Sequence, residues 1–218
     1  MQNGVAKSEH QPCIYVLAGT NGAGKSTVGG AAIRERGADY FNPDEAARRI
    51  RSANPHVSQE DANIAAWNEG RRLLETALAS RLTFAFETTL GGETIAGLLR
   101  LAIAARIEVR VWYVGLTSPE QHIARVRARV ARGGHDIPES KIRERYDRSR
   151  SNLIRLLPEL TEVRVFDNSG EADPATGLAP TPLHVLHMAQ GHIVTMCDLA
   201  EVPDWAKPIV AAAMKSSQ

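Results

Sequence analysis

The sequence contains few cysteines, almost no net charge and no long apolar run. Its two cysteines among 218 residues, Cys13 and Cys197, have neither metal-ligand spacing nor the density of a disulfide framework, so we expect both to be reduced and structural. Lys and Arg number 26 against 25 Asp and Glu, a balance that argues against nucleic acid or a membrane surface as the default partner.

No apolar stretch approaches the roughly 18 residues that a transmembrane helix needs, and the first residues lack the apolar core of a signal peptide. These absences predict a cytoplasmic protein with no membrane partner. Hydrophobic residues make up 43% and charged residues 23% of the chain, which is typical of a globular domain. At this length we expect one main domain rather than two.

Short apolar runs alternate with helical patterns along most of the chain. The runs predict buried strands, because they are short and rich in β-branched and aromatic residues. Parallel strands need crossover helices on both faces of a sheet, so the alternation predicts an α/β fold, a three-layer sandwich around a mainly parallel five-stranded sheet. The predicted strands are 14–17, 39–41, 82–86, 109–114 and 163–166, and the predicted helices between them are 25–36, 58–80, 92–105, 118–132 and 138–157.

The composition divides the chain into three parts. Residues 1–12 are polar and patternless, which predicts a flexible N-terminus before a domain over residues 13–170. The composition then shifts to Pro, Gly, Ala and Thr. We predict that residues 171–218 form an appendage packed on the same domain, with a hairpin over 183–197 and a helix near 204–215.

A phosphate-binding motif follows the first predicted strand. Residues 19–26 read GTNGAGKS, which matches G-x-x-x-x-G-K-[ST] between a strand and a helix and indicates the P-loop NTPase fold. Its glycines let backbone N–H groups face phosphate oxygens, and the helix N-terminus adds its positive end. We predict that Lys25 reaches the β- and γ-phosphates of ATP and that the Ser26 hydroxyl completes a magnesium shell. The predicted nucleotide-binding residues are Gly19, Thr20, Asn21, Gly22, Ala23, Gly24, Lys25, Ser26 and Thr27.

Two carboxylates follow other predicted strands, and ligands of open α/β sheets lie beyond the carboxyl ends of the strands. Asp44, in FNPDEA, is predicted either to accept the proton of a substrate hydroxyl or to cap a helix beginning at Glu45. Glu87 ends the third predicted strand in FAFETTL. It is predicted to hold a magnesium-bound water or a substrate hydroxyl, or else to begin an exposed loop. Thr88 and Thr89 are predicted either to bind the substrate or to cap the next helix.

Arginines recur on one face of the predicted helix 118–132. Arg125, Arg129 and Arg132 share a direction there. Arginine in a closing lid supplies rigid, always charged donors to a phosphoryl group in transfer, whereas the alternative is a solvated basic face.

The chain from residue 125 to 164 is the main basic segment of the sequence. It carries eleven Lys or Arg against six Asp or Glu, and it contains a glycine break, GGHDIP, that is suited to a hinge. His135 in this break is a candidate proton carrier, and no His, Cys or acid stands at metal-ligand spacing to it.

Four segments together resemble the zeta-toxin family. They are GTNGAGKST, FNPDEAA, FAFETTL and RVARGGHDIPESKIRERY, and the resemblance covers about residues 13–170. It implies a P-loop kinase that uses ATP and magnesium to phosphorylate a UDP-activated amino sugar such as UDP-N-acetylglucosamine. It also implies an antitoxin as the partner of many members.

The resemblance also implies roles for single residues. Lys25 and Ser26 are similar to the ATP and magnesium residues of the family, Asp44 to its catalytic base, and Glu87 to the acid that helps hold the substrate. Arginines of the last segment occupy the stretch that carries the lid arginines. The predicted catalytic residues are therefore Lys25, Asp44, Arg129 and Arg132, and the predicted substrate-binding residues are Asp44, Glu87, Thr88, Thr89, Arg143 and Arg145.

The leading prediction is an ATP-dependent kinase that transfers the γ-phosphate of ATP to a hydroxyl group of a small molecule. The chain is shorter than the well-known zeta toxins and has little room for their extra elements that bind the sugar nucleotide. The sequence therefore does not identify the acceptor. One alternative is a nucleotide-dependent regulatory ATPase whose basic segment binds nucleic acid or a protein partner. Another is an antibiotic or nucleoside phosphotransferase of the same fold. A separate antitoxin protein, or none, remains open as well.

Overall fold

A single sheet forms the centre of the molecule in the computed structural model, which describes residues 11–29, 40–171 and 180–217. Within these residues the order across the sheet is β2-β3-β1-β4-β5-β6-β7. Strands β1 to β5 pair in parallel, and β6 and β7 pair antiparallel. The strands are β1 (Cys13–Ala18), β2 (Tyr40–Phe41), β3 (Phe84–Thr88), β4 (Glu108–Gly115), β5 (Glu162–Asp167), β6 (Leu183–Ala189) and β7 (His192–Met196).

The helices begin and end largely where local signals predict. Ser58 and Ser118 each cap a helix by accepting the N–H of the residue three positions later. None of the helices in the described ranges has the length and apolar character needed to cross a bilayer. The described helices are α1 (Lys25–Val28), α2 (Pro43–Ala53), α3 (Gln59–Ala79), α4 (Glu93–Ala104), α5 (Pro119–Val130), α6 (Glu139–Leu156) and α7 (Lys207–Ser216).

Strand β1 is buried on both faces of the sheet, because alternate side chains of a strand point to opposite sides. Ile14 and Val16 enter the larger hydrophobic cluster together with residues of α3, α4, α6 and α7. Leu17 enters a second cluster with Trp112 and Val114 of β4. The predicted α/β sandwich with a mainly parallel sheet is confirmed, and the sheet has seven strands instead of the five predicted parallel ones.

The two additional strands, β6 and β7, pair antiparallel as a hairpin in the C-terminal part. It turns at Gln190 and Gly191, whose φ angles of 49° and 80° lie in the left-handed region that suits a tight hairpin turn. Strand β6 pairs with β5, and Val185 is buried in the same cluster as Trp205 and the core of the main domain. The last helix begins at Lys207, slightly later than predicted.

Strand β3 begins later than the predicted strand over 82–86. It starts at Phe84, because Leu82 still belongs to the turn that follows α3: its N–H donates to the carbonyl of Ala77 at 2.8 Å. Glu87 therefore lies within the strand, one residue before its end at Thr88.

Helix α2 begins at Pro43 with Asn42 as its N-cap. The Asn42 side chain accepts the N–H groups of Asp44 and Glu45 at 2.9 and 3.3 Å. The alternative prediction that Asp44 caps a helix beginning at Glu45 is therefore wrong. Because Asn42 already satisfies these donors, the Asp44 carboxylate is left for other contacts.

Some predictions concern residues outside the described ranges. They are most of the flexible N-terminus, helix 25–36 beyond residue 29, the start of the strand at residue 39 and the part of the appendage over 172–179. Both cysteines are free, and burial raises the pKa of the Cys13 thiol to about 11. Cys13 therefore stays protonated and unreactive at neutral pH.

Candidate active site

The candidate site lies where the parallel strands β1, β2 and β3 end. Leu17 and Ala18 of β1 pair with Glu87 and Thr88 of β3. The P-loop, residues 19–26, leaves β1 at this edge of the sheet, and α2 begins directly after β2. The register therefore sets Glu87 beside the start of the loop, and parallel pairing brings the start of α2 to the same edge.

The P-loop has the curled backbone that its glycines predict. Gly22 and Gly24 have φ angles of 85° and 81°, a region that L side chains rarely adopt. A Cβ atom at Gly22 would lie 2.7 Å from the carbonyl oxygen of His122, and one at Gly24 would lie 2.5 Å from Nδ2 of Asn168. Neighbouring elements thus hold the loop tightly in the shape that directs N–H groups toward phosphate.

The Glu87 carboxylate contacts both P-loop side chains that are predicted to meet the nucleotide. Ser26 donates its hydroxyl to Oε2 at 2.8 Å, and Lys25 Nζ lies 3.4 Å from Oε1. Lys25 is buried and Glu87 is largely shielded from solvent, with side-chain exposures of 7% and 11%. A buried charge needs a partner, and here each supplies the other.

The Asn42 side chain connects this cluster to Asp44. Its amide group donates to Glu87 Oε2 at 3.3 Å, while its oxygen accepts the Asp44 N–H. The Asp44 carboxylate in turn lies 3.4 Å from Arg129 Nη1 and 3.5 Å from His135 Nε2. A continuous series of contacts therefore runs from the P-loop to the predicted catalytic base.

Two residues of the helical pair α5 and α6 hold the P-loop through Asn21. Arg145 donates to Asn21 Oδ1 at 2.8 Å, and Nδ1 of His122 lies 2.8 Å from the Asn21 carbonyl oxygen. Burial lowers the pKa of His122 to about 4, so this imidazole is neutral at physiological pH and Nδ1 carries the donated hydrogen.

Arg145 is a half-buried cation without an acidic partner at ion-pair distance among the described residues. Burial lowers the pKa of its guanidinium, while Glu144 and Asp44 act in the opposite direction at longer range. An uncompensated cation against a phosphate-binding loop favours an anion as its missing partner.

The structure does not bring every predicted arginine to the site. Arg132 is exposed and donates to the Ala128 carbonyl of its own helix at 3.2 Å. Arg143 forms a surface ion pair with Glu120 at 2.6 Å. Arg125 donates to the Gly170 carbonyl at 2.9 Å, beyond the end of β5.

Thr88 and Thr89 hold the turn after β3. The Thr88 hydroxyl accepts the Leu90 N–H at 3.1 Å, and the Thr89 hydroxyl accepts the Gly91 N–H at 3.4 Å. Hydroxyls used in this way organise the local backbone. Their predicted contact with a substrate stays a prediction.

Acids from outside the segment compensate part of the excess positive charge over residues 125–164. Arg129 pairs with Asp44, Arg143 with Glu120 and Arg155 with Glu93. Ion pairs at the surface are worth little individually, but these three lower the charge that is available to attract nucleic acid. The ion pairs within the segment are Arg127 with Glu139, Lys141 and Arg148 with Glu144, Arg150 with Asp147, and Arg164 with Glu162.

The donor set at the P-loop fits magnesium. Within the described residues no group of three or more His, Cys, Asp or Glu side chains is arranged to hold a metal ion. Magnesium, however, keeps several waters and takes only one or two protein oxygens besides substrate phosphates. The Ser26 hydroxyl and the Glu87 carboxylate, 2.8 Å apart, supply oxygens of this type at the mouth of the loop.

Sequence reasoning missed two residues that organise the site. Asn42 precedes a proline, which is a signal for a helix N-cap, but its second contact with Glu87 depends on the pairing of β2 with β3. His122 lies in a helical pattern, HIARV, that carries no sign of a contact with the P-loop. Only the packing of α5 beside the loop reveals that contact.

The sequence matches one family model and one curated protein. The family model described as zeta toxin matches residues 2–173. A protein of Haemophilus influenzae, described as uncharacterized, is 33% identical over 132 residues, which cover 59% of this chain and 88% of that protein.

Solved structures share the fold at low sequence identity. The crystal structure of AvrRxo1-ORF1:AvrRxo1-ORF2 with ATP matches with a TM-score of 0.65 and 18% identity, covering 96% of this chain and 77% of the matched chain. The PezAT chromosomal toxin–antitoxin system of Streptococcus pneumoniae matches with a TM-score of 0.51 and 18% identity, over 74% of this chain and 69% of that chain. Both likenesses concern the fold.

Proposed function

The chain belongs to the zeta toxin family, and from this premise we propose that it is an ATP-dependent kinase whose acceptor is a hydroxyl group of a small molecule. The observation that carries the proposal is the series of contacts that joins the P-loop to Asp44 through Glu87 and Asn42. A phosphate cradle and a carboxylate base on one sheet edge are the two parts that phosphoryl transfer requires.

The donor side of the reaction uses the P-loop and its neighbours. The loop N–H groups and Lys25 bind the phosphates of ATP, and Ser26 holds magnesium. When bound, magnesium neutralises charge on the phosphates. Arg129 and Arg145 add positive charge where negative charge spreads over the phosphoryl group in transfer.

The acceptor side uses Asp44. Its carboxylate accepts the proton of the acceptor hydroxyl while the acceptor oxygen forms a bond to the γ-phosphorus. The bond between the γ-phosphorus and the bridging oxygen breaks at the same time, and ADP leaves with that oxygen. Asp44 is 38% exposed, so a small-molecule hydroxyl can approach it from solvent.

For the acceptor we propose a UDP-activated amino sugar such as UDP-N-acetylglucosamine, on the basis of family membership. The test is incubation of the purified protein with γ-labelled ATP and magnesium against a panel of UDP-sugars, nucleosides and metabolite extract. Mass identification of a phosphorylated UDP-sugar would support the acceptor. Phosphorylation of a nucleoside alone would replace the proposed acceptor and leave the proposed phosphoryl transfer in place.

The roles of Asp44 and Lys25 are tested by repeating this assay with variants of the protein. Asp44→Asn is expected to keep ATP binding and lose about 10² to 10⁴-fold in transfer rate, the range of general-base catalysis. Lys25→Ala is expected to weaken ATP binding and to lower the transfer rate as well. Asp204→Asn is the control, because the Asp204 side chain is 90% exposed. Transfer at the parent rate by Asp44→Asn would refute the proposed base.

We propose that a separate antitoxin protein neutralises this activity, as family membership and the fold shared with the PezAT system support. Induced expression in a bacterial host is expected to arrest growth with the parent protein and not with Asp44→Asn. Equal growth of the two strains, with equal amounts of soluble protein, would count against a toxin.

A further inference from the structure

The Asp44 carboxylate is contacted on both of its oxygens by residues near the glycine break. His135 Nε2 lies 3.5 Å from Oδ1, and Arg129 Nη1 lies 3.4 Å from Oδ2. Arg129 also donates from Nη2 to the His135 carbonyl oxygen at 3.1 Å. The three residues therefore form one compact group, in which His135 is the most buried member with a side-chain exposure of 13%.

The backbone around His135 is held in place. Gly133 has a φ angle of 86°, and a Cβ at Gly134 would lie 2.6 Å from Arg129 Cγ, so these glycines allow the chain to turn back onto α5. After the turn, Ile137 is buried in a cluster between α5 and α6. The backbone at His135 is thus anchored on both sides, at a position that sets its ring beside Asp44.

Charged groups from every neighbouring element act on His135. Burial lowers its pKa most, and Arg129 of α5 and Arg48 of α2 lower it further, whereas Asp44 and the adjacent Asp136 raise it. The imidazole is therefore neutral at physiological pH. A neutral imidazole can donate an N–H to a carboxylate without forming an ion pair, so it lowers the proton affinity of that base less than a cationic partner would.

Arg129 cannot keep its contact with the Asp44 carboxylate throughout the reaction. In the proposed function its guanidinium turns toward the phosphoryl group, whose charge competes with Asp44 Oδ2 for the same Nη1. His135 carries no charge to attract a phosphate, and so remains on Oδ1.

We propose that His135 is a positioning residue for Asp44: its Nε2–H donates to Oδ1 and keeps Oδ2 directed at the acceptor hydroxyl. The proposal rests on the proposed kinase function and adds a residue to it. The present separation of 3.5 Å shortens when the acceptor binds, as catalytic hydrogen bonds commonly do on substrate binding.

The contact itself can be tested without any acceptor. The full-length protein, labelled with ¹³C in histidine rings, is titrated by NMR as wild type and as Asp44→Asn, with His135→Gln used to assign the resonance. The pKa of His135 is expected to fall in Asp44→Asn because the raising effect of the carboxylate is lost. The resonance of His56, which is exposed on the loop before α3, is the internal reference. An unchanged His135 pKa would overturn the proposal.

The positioning role is tested by kinetics with UDP-N-acetylglucosamine or the acceptor that the panel identifies. His135→Ala is expected to lower kcat by roughly tenfold with an unchanged KM for ATP, since it disorders the base without removing it. His135→Gln, which retains an N–H donor, should recover most of this loss. Parent kcat in His135→Ala, or equal losses in both variants, would overturn the proposal.

The NMR titration and the kinetic comparison together distinguish a failure of this proposal from a failure of the kinase function on which it rests. If the wild type transfers phosphate to no acceptor in the panel, the proposed kinase function fails. The NMR titration then still decides whether His135 and Asp44 form a pair.

Discussion

The hydroxyl of Ser26 donates to the Glu87 carboxylate at 2.8 Å, which joins the start of α1 to the last residues of β3. Lys25 lies at ion-pair distance from the other oxygen of the same carboxylate. Glu87 is thus placed to order both P-loop side chains before a nucleotide arrives, and to accept hydrogen bonds from magnesium-bound water afterwards.

From this contact we predict that Glu87→Gln raises the magnesium concentration needed for half-maximal transfer by about tenfold, the usual effect of losing a group that orients metal ligands. The measurement is transfer of labelled phosphate over a magnesium titration at saturating ATP. Glu93→Gln is the control, because the Glu93 side chain is 64% exposed at the start of α4. An unchanged magnesium requirement would contradict this role for Glu87.

Arg145→Lys is predicted to lower kcat/KM for ATP by at least about 10²-fold, the usual effect of removing one preorganised donor. Lysine keeps the charge but cannot reproduce the guanidinium fork that contacts Asn21 of the P-loop at 2.8 Å. Arg148→Lys, one turn away on the same helix and 65% exposed, is the matched control. Equal kinetics of the two variants, with equal thermal stability, would show that Arg145 does not meet the nucleotide.

The buried His122 should make stability depend on acidity. Its imidazole takes up a proton only near pH 4 in the folded state, whereas in the unfolded chain it does so near the ordinary value of about 6.5. The unfolded state therefore binds more protons between these values, and stability is lost as the pH falls through this window, by up to about 3 kcal/mol.

His122→Asn, which keeps a donor for the Asn21 carbonyl, should remove this loss. The measurement is the urea midpoint of unfolding at a series of pH values from 7 to 4. His56→Asn, at an exposed position, should retain the parental slope. A parental slope in His122→Asn would show that other groups cause the acid sensitivity.

Gly115 and Gly97 should respond in opposite directions to alanine. A Cβ at Gly115 would lie 2.4 Å from Cη2 of Trp205, a ring that is fixed by its hydrogen bond to Asp167 at 2.7 Å. Gly115→Ala should therefore lower the free energy of unfolding by about 1 to 3 kcal/mol.

At Gly97, in α4, an added Cβ meets no atom closer than 4.0 Å. Gly97→Ala should raise the free energy of unfolding by up to about 1 kcal/mol, because alanine loses less backbone entropy in a helix. Denaturant unfolding of both variants is the test. Destabilisation by Gly97→Ala, or no effect of Gly115→Ala, would contradict the packing described.

Local signals in the sequence predicted most of the fold. The run Thr117 to Glu120 holds a hydroxyl and a proline in the positions that begin α5, and Gly191 marks the turn of the C-terminal hairpin. Such features depend on the conformational preferences of a few neighbouring residues, so they can be recognised without knowledge of the rest of the chain. The same holds for the P-loop.

The side chains of the site were predicted less completely. Arg132 and Arg145 both lie in basic, helical stretches, and nothing in their spacing distinguishes them. In the structure Arg132 is exposed while Arg145 reaches Asn21. The crossing of α6 over the P-loop makes that difference, and it depends on how buried residues such as Leu153 pack in the core.

The sequence by itself determined the alternating architecture, the phosphate-binding loop and the candidate carboxylates Asp44 and Glu87, because each arises from short-range periodicity or from a contiguous motif. Only the tertiary structure decided that Asn42, which caps the helix carrying Asp44, also donates to the Glu87 carboxylate, and that His135 and Arg129 contact the Asp44 carboxylate. These contacts link residues up to 91 positions apart in the chain, from Asp44 to His135. Their geometry is set by strand register and helix packing, which no local pattern of residues encodes.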